Sequence, residues 1–297
     1  MAKNFLNESF PDKLVLDGDD DSARATDSLV RILVETAEKE FLQPRQGEPR
    51  HSNSNATAKT TTFPWNVTVV ENPTVNAFCA PGGSVVVFSG LIDFCVQLER
   101  ENKVDSAASA MCGVLAHEIS HGVLRHGMET LSWMPPLMIA MVLTQAFFVS
   151  MGFGPEEVRL LNSAFQEVVQ FFLRLPHSRR VESEADLLGS ELLEKAGLPL
   201  DDYPRVLSLL QSGHSEWFST HPAPEKRALA IEMHLRNNKE ATTMTSLKTS
   251  PWRDVLEDAR RRYARFSERP EREKEARLGA SGEDKEKMIA WRPAITN

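Results

Sequence analysis

The chain has 297 residues, 41% of them hydrophobic and 26% charged, with a formal net charge of −8. This is ordinary globular composition, enough for one large domain or two small ones, and the acidic balance gives no reason to expect nucleic acid as a partner. Three cysteines (Cys79, Cys95 and Cys112) are an odd number without C-x-x-C spacing, which excludes a disulfide framework and points to reduced, mostly buried thiols.

In chain order, residues 1–25 read as a solvated tail. It has no apolar signal core and turns acidic at Asp17-Gly-Asp-Asp-Asp21, the opposite of a mitochondrial transit peptide. From Asp27 as N-cap, Leu29, Ile32, Leu33, Ala37 and Phe41 predict an amphipathic helix. Residues 43–61 are polar, contain Pro and Gly, and read as a loop. The sequons at Asn55 and Asn66 are read as accidental, since no secretory signal accompanies them.

Alternation of Trp65, Val67 and Val69 predicts a strand. Asn76-Ala-Phe-Cys-Ala and Val85-Val-Val-Phe88 predict two more, which together make a small meander. Such a sheet can simply bury the next helix. Its edge can also pair with an extended substrate backbone, which makes Asn76, Ala77 and Phe78 candidate substrate-binding residues.

The next segment carries the chemistry. His117-Glu-Ile-Ser-His121 is an H-E-x-x-H pattern. On a helix the two histidines lie one turn apart on the same face, where both rings can bind one zinc ion. Glu118 lies about 100° round the helix and can serve as general base without being a ligand. Met111, Val114, Leu115, Ile119, Val123 and Leu124 make this helix largely apolar. Gly113 and Gly122 lower its helix propensity and so mark close packing.

Residues 130–155 carry no charge. Pro135 and Pro136 are expected to break any helix running on from the H-E-x-x-H segment. The remainder, 137–151, would be about 22 Å long against a bilayer core of about 30 Å. This predicts a core helix or one dipping into a membrane face. Residues 158–173 predict an amphipathic helix with Leu160, Leu161, Phe165, Val168, Val169 and Phe172 inward. Further helices follow around 176–196, 203–211 and 219–236. After a polar stretch, Trp252, Val255, Leu256, Ala259, Tyr263 and Phe266 recur at helical spacing, in a helix that either packs back on the domain or binds a partner.

A catalytic zinc site uses three protein ligands. His126 stands five residues after His121, well round a continuous helix from the pair, and is read as structural. Glu182 is the better third ligand. It shares a helix face with Asp186, whose carboxylate can hold the second ring nitrogen of a ligand histidine.

These motifs resemble the gluzincin family of HtpX, the CAAX prenyl proteases and the Oma-type mitochondrial peptidases. The resemblance rests on His117-Glu-Ile-Ser-His121 and on Ser178-Arg-Arg-Val-Glu182-Ser-Glu-Ala-Asp186. Asn76-Ala-Phe-Cys-Ala-Pro-Gly82 and Trp217-Phe-Ser-Thr-His221-Pro222 with Arg227 are similar to the Oma-type branch. The resemblance implies one zinc ion per chain on His117, His121 and Glu182, with Glu118 as catalytic acid/base. It implies Asp186 and Arg227 as outer partners of that site, and His221 near the metal as oxyanion stabiliser or resting-state ligand.

The expected fold is α+β: a mostly helical zincin-like domain with a small β-sheet before the H-E-x-x-H helix. The expected organisation is a tail at 1–25, a metallopeptidase domain at 26–236, a linker at 237–250, and an amphipathic helix with a charged tail at 251–297. The expected function is zinc-dependent endopeptidase action on membrane or damaged proteins, with a protein or peptide as substrate. Membrane association is expected, at the mitochondrial inner membrane as the resemblance implies, and no nucleic acid. The alternative is a zinc-stabilised, chaperone-like binding module without proteolysis, against which the presence of Glu118 argues.

Overall fold

The computed structural model describes residues 15–16, 18, 20–42, 65–80, 82–169, 175–212, 227, 229–233 and 248–269. The expected tail before residue 15, the loop from 43, the 237–247 stretch and the chain after 269 lie outside the described residues.

The first helix, α1 (Asp21–Glu40), starts seven residues earlier than expected. Asp20 rather than Asp27 caps it, accepting from the Ser22 amide at 2.8 Å. Three strands follow: β1 (Asn66–Val70), β2 (Ala77–Ala80) and β3 (Ser84–Phe88). They do not form a meander. The spatial order is β1-β3-β2, with β1 parallel and β2 antiparallel to β3. All five residues of β3 are buried, as suits a central strand. β2 is left as an edge beside the helices.

α2 (Ser89–Arg100) leaves the sheet directly from β3. α3 (Ala107–Val123) carries the H-E-x-x-H segment and is buried without interruption from Ala107 to Ser120. A helix buried on every side must be surrounded, and α1, α2, β2, α6 (Leu175–Ala196), α7 (Asp202–Ser212) and α8 (Arg253–Ser267) all pack on it. The glycines of α3 allow this. A Cβ on Gly113 would come within 2.8 Å of the Tyr203 ring, and one on Gly122 within 2.8 Å of the Cys79 sulfur.

Between α3 and α6 lies a helical pair, α4 (His126–Ser150) and α5 (Pro155–Val169). The expected break at Pro135 and Pro136 does not occur, because both prolines lie inside α4. Each removes one backbone donor. Both prolines are exposed. Nor is α4 a core helix. Leu143 is 65% and Phe147 59% exposed, and Leu160 of α5, expected inward, is 67% exposed. Among the described residues, no helix is long and apolar enough to cross a membrane.

α8 packs back on the domain rather than standing apart. Leu256, Ala259, Tyr263 and Phe266 join the core, and the Tyr263 hydroxyl lies 3.1 Å from Thr26 Oγ1 of α1. Arg262 and Arg265 both reach Asp21 at 2.9 Å. Phe266→Ala is therefore expected to cost about 3–5 kcal/mol in urea unfolding of the whole domain. A change below about 0.5 kcal/mol, as for a surface substitution, would show α8 to be peripheral.

Candidate metal centre

α3 and α6 pack side by side and bring the two sequence motifs together. Nε2 of His117 and Nε2 of His121 are 3.0 Å apart. Glu182 Oε2 lies 3.4 Å from the first and Oε1 3.5 Å from the second. One ligand atom from each residue falls within 4.8 Å of the others, and these three residues form the only such group among the described residues. Two imidazole nitrogens and a carboxylate oxygen, His117 and Glu182 buried and His121 nearly so, are a donor set that fits a catalytic-type zinc site.

Behind the ligand atoms, each imidazole is held from outside. His117 Nδ1 is 3.0 Å from Asp186 Oδ1. Arg227 grips Asp186 with Nε at 2.6 Å and Nη2 at 2.7 Å, and reaches Glu182 Oε2 with Nη1 at 2.8 Å. Burial disfavours charge on His117, but Asp186 and Glu182 outweigh it and push its pKa up to about 9. Burial would raise the Asp186 carboxyl, yet Arg227 and His117 hold it at about 2. A cation bound at His117 would have to displace that proton.

Glu118 faces the sheet. Its Oε2 accepts the backbone N–H of Cys79 at 3.0 Å. The antiparallel register turns the amides of Phe78 and Ala80 toward β3, which leaves that of Cys79 on the outer edge. Asn76 is buried, and its side chain accepts the Ala77 amide at 2.9 Å. Ala77 is buried too, and Phe78 is half-buried with its ring edge-on to Phe88. These three candidate substrate-binding residues thus lie along the β2 edge, two of them with little side-chain surface. His221 lies outside the described residues.

Two participants escaped the sequence reading. Tyr203 is fully buried, its hydroxyl 3.3 Å from Asp186 Oδ1 and 3.5 Å from His117 Nδ1. Its ring occupies the space left by Gly113, and its hydroxyl lies 3.0 Å from where a Gly189 Cβ would be. Glycines inside two helices were the available signal. The second is His126, expected to point away from the ligand pair. Its Nδ1 is 2.9 Å from Nδ1 of His121. The expectation assumed one continuous helix, but α3 ends at Val123 and Arg125 turns left-handed at φ 58°. That turn swings His126 back over the site.

The sequence model of Peptidase family M48 matches residues 45–234. A mitochondrial metalloendopeptidase OMA1 of Arabidopsis thaliana is 36% identical over 171 residues, 55% of this chain and 30% of that protein. Its Schizosaccharomyces pombe counterpart is 28% identical over 174 residues, 57% of this chain and 46% of its own. The metalloprotease YcaL of Escherichia coli is 27% identical over 180 residues, 59% of this chain and 64% of its own. The chain thus spans less than half the length of these two mitochondrial relatives.

Removing Glu182 takes away a candidate ligand atom, whereas removing Asp186 leaves all three candidate ligands and disturbs how His117 and Arg227 are held. Metal retained after dialysis is expected to fall furthest in Glu182→Ala, and about 10–100-fold in affinity in Asp186→Ala. Full retention by Glu182→Ala would contradict the assignment of this cluster.

Proposed function

This chain belongs to peptidase family M48, and from that premise we propose that it is a zinc-dependent metalloendopeptidase. The observation that carries the reading is the convergence of His117, His121 and Glu182 on one point, with Glu118 on the same helix. His117, His121 and Glu182 are the zinc ligands, with one ion per chain. A zinc ion there supplies Lewis acidity, polarising a peptide carbonyl and easing deprotonation of water.

Glu118 is the general base and then the general acid. It takes a proton from the attacking water and returns it to the leaving amine. The Cys79 amide holds one of its oxygens and so fixes the direction in which the carboxylate presents itself. The β2 edge carries the substrate backbone, which pairs with the outward-facing carbonyls of Ala77 and Cys79. Asp186, Arg227 and Tyr203 hold His117 in place. The resemblance of the Thr-His-Pro segment to the family assigns His221 the role of oxyanion stabiliser or resting-state ligand.

The substrates are membrane or damaged proteins, as in Oma-like quality control. The support is the apolar surface on α4 and α5, where Ile139, Val142, Leu143, Phe147, Val149 and Leu160 are all more than half exposed. That surface rests on a membrane face without crossing it, and the mitochondrial inner membrane is the location the resemblance implies.

Glu118→Gln is expected to keep its zinc and lose casein hydrolysis by about 10²–10⁴-fold, the range of a missing general base. Undiminished turnover by that variant would overturn Glu118 as the general base, and a zinc-loaded wild type that hydrolyses no casein would overturn the peptidase reading and leave the metal-stabilised binding module. In flotation assays the chain is expected to rise with lipid vesicles, and Leu143→Glu with Phe147→Glu to abolish this. A wild-type chain that stays at the bottom of the gradient would refute membrane association.

A further inference from the structure

The two ligand histidines are held from outside by different chemistry. For His117 the outer partner is a carboxylate, Asp186. For His121 it is another imidazole. His121 Nε2 faces His117 and Glu182, and His121 Nδ1 faces His126 Nδ1 at 2.9 Å. Two ring nitrogens at that distance share one proton, so one donates and the other accepts.

We propose that His126 is the positioning residue for His121, and that it fixes which nitrogen of His121 is turned toward the ligand cluster. A neutral imidazole that uses Nε2 as ligand carries its proton on Nδ1. His121 Nδ1–H then donates to His126 Nδ1. This places the proton of His126 on Nε2, which lies 3.5 Å from Glu184 Oε2. Glu184 Oε1 accepts from Arg180 Nε at 2.8 Å. The imidazole pair sets the tautomer of His121, while the half-exposed Glu184 carboxylate lies beyond hydrogen-bond geometry from the buried His126 and adds charge attraction alone.

The backbone is built for this contact. Arg125 adopts a left-handed conformation that L side chains rarely take, and it directly precedes His126. Strain of this kind persists where surrounding contacts impose it. The contact from His126 to Glu184 is longer than a tight hydrogen bond, and Arg180 is exposed, so the outer links contribute less than the imidazole pair.

The inference rests on the metal reading of the preceding subsection, and the test separates the two. Zinc affinity is measured by chelator competition on the full chain. The visible spectrum of the cobalt-substituted protein is recorded alongside. His126→Phe keeps a ring but offers no acceptor, and is expected to weaken zinc binding about 10–100-fold and to shift the cobalt spectrum. His126→Asn restores an acceptor near the position of Nδ1 and is expected to recover most of the affinity. A purely structural histidine would show no such recovery, and equal losses in both variants would overturn the proposal.

Wild-type affinity and spectrum in His126→Phe would overturn it as well. If His126→Phe does not fold, the wild-type zinc-loaded protein decides, through the ¹⁵N–¹⁵N coupling across the hydrogen bond between the two Nδ1 atoms. A coupling is expected, and its absence would overturn the proposal. Zinc binding that depends on Glu182 keeps the metal reading standing whatever His126 does. A wild-type chain that binds no zinc removes both.

Discussion

Three carboxylates, Glu118, Glu182 and Asp186, are buried around two imidazoles, with one guanidinium, Arg227, among them. Burying charge is costly unless it is paired and hydrogen-bonded. Of these groups, Arg227 offsets one negative charge, and the two that remain match a divalent cation. The same excess of negative charge is felt by His117, whose pKa rises despite full burial. A bound cation would thus answer the charge the site must balance as well as the spacing of its candidate ligands.

The rest of the fold keeps that cluster in place. α3 can be surrounded only because Gly113 and Gly122 let Tyr203, Cys79 and Trp65 come close. Tyr203 fills one of these gaps and turns its hydroxyl to Asp186 and His117, so packing and polar satisfaction are supplied by one side chain. On the far side, α1 and α8 lie outside the family-matched segment yet contribute Leu29, Leu33, Tyr263 and Phe266 to the same core. The Cys79 amide on the sheet edge then joins β2 to Glu118, so the position of that carboxylate depends on the strand.

The clustering of His117, His121 and Glu182 was legible because helical periodicity is a reliable ruler within one helix. His117 with His121, and Glu182 with Asp186, are each one turn apart, and α3 and α6 only had to be brought together. The same ruler failed at His126, where a left-handed Arg125 interrupts it. It failed again at Pro135 and Pro136, since sequence does not show which helix surface is open to water. Strand order was hidden for a related reason: alternation marks β1, β2 and β3 without saying that β3 lies between the others. Tyr203 makes its contact through tertiary packing alone, 86 residues from His117, and no local pattern reports that.

The central claim is that two imidazoles and one carboxylate hold a zinc ion in this chain. X-ray absorption at the zinc edge of the reconstituted protein tests it most directly. The expected spectrum is a shell of nitrogen and oxygen at about 2.0–2.2 Å with the outer-shell scattering of two imidazole rings. A sulfur shell at about 2.3 Å would bring a cysteine such as Cys79 into the site and contradict the account; so would a spectrum with one imidazole or none.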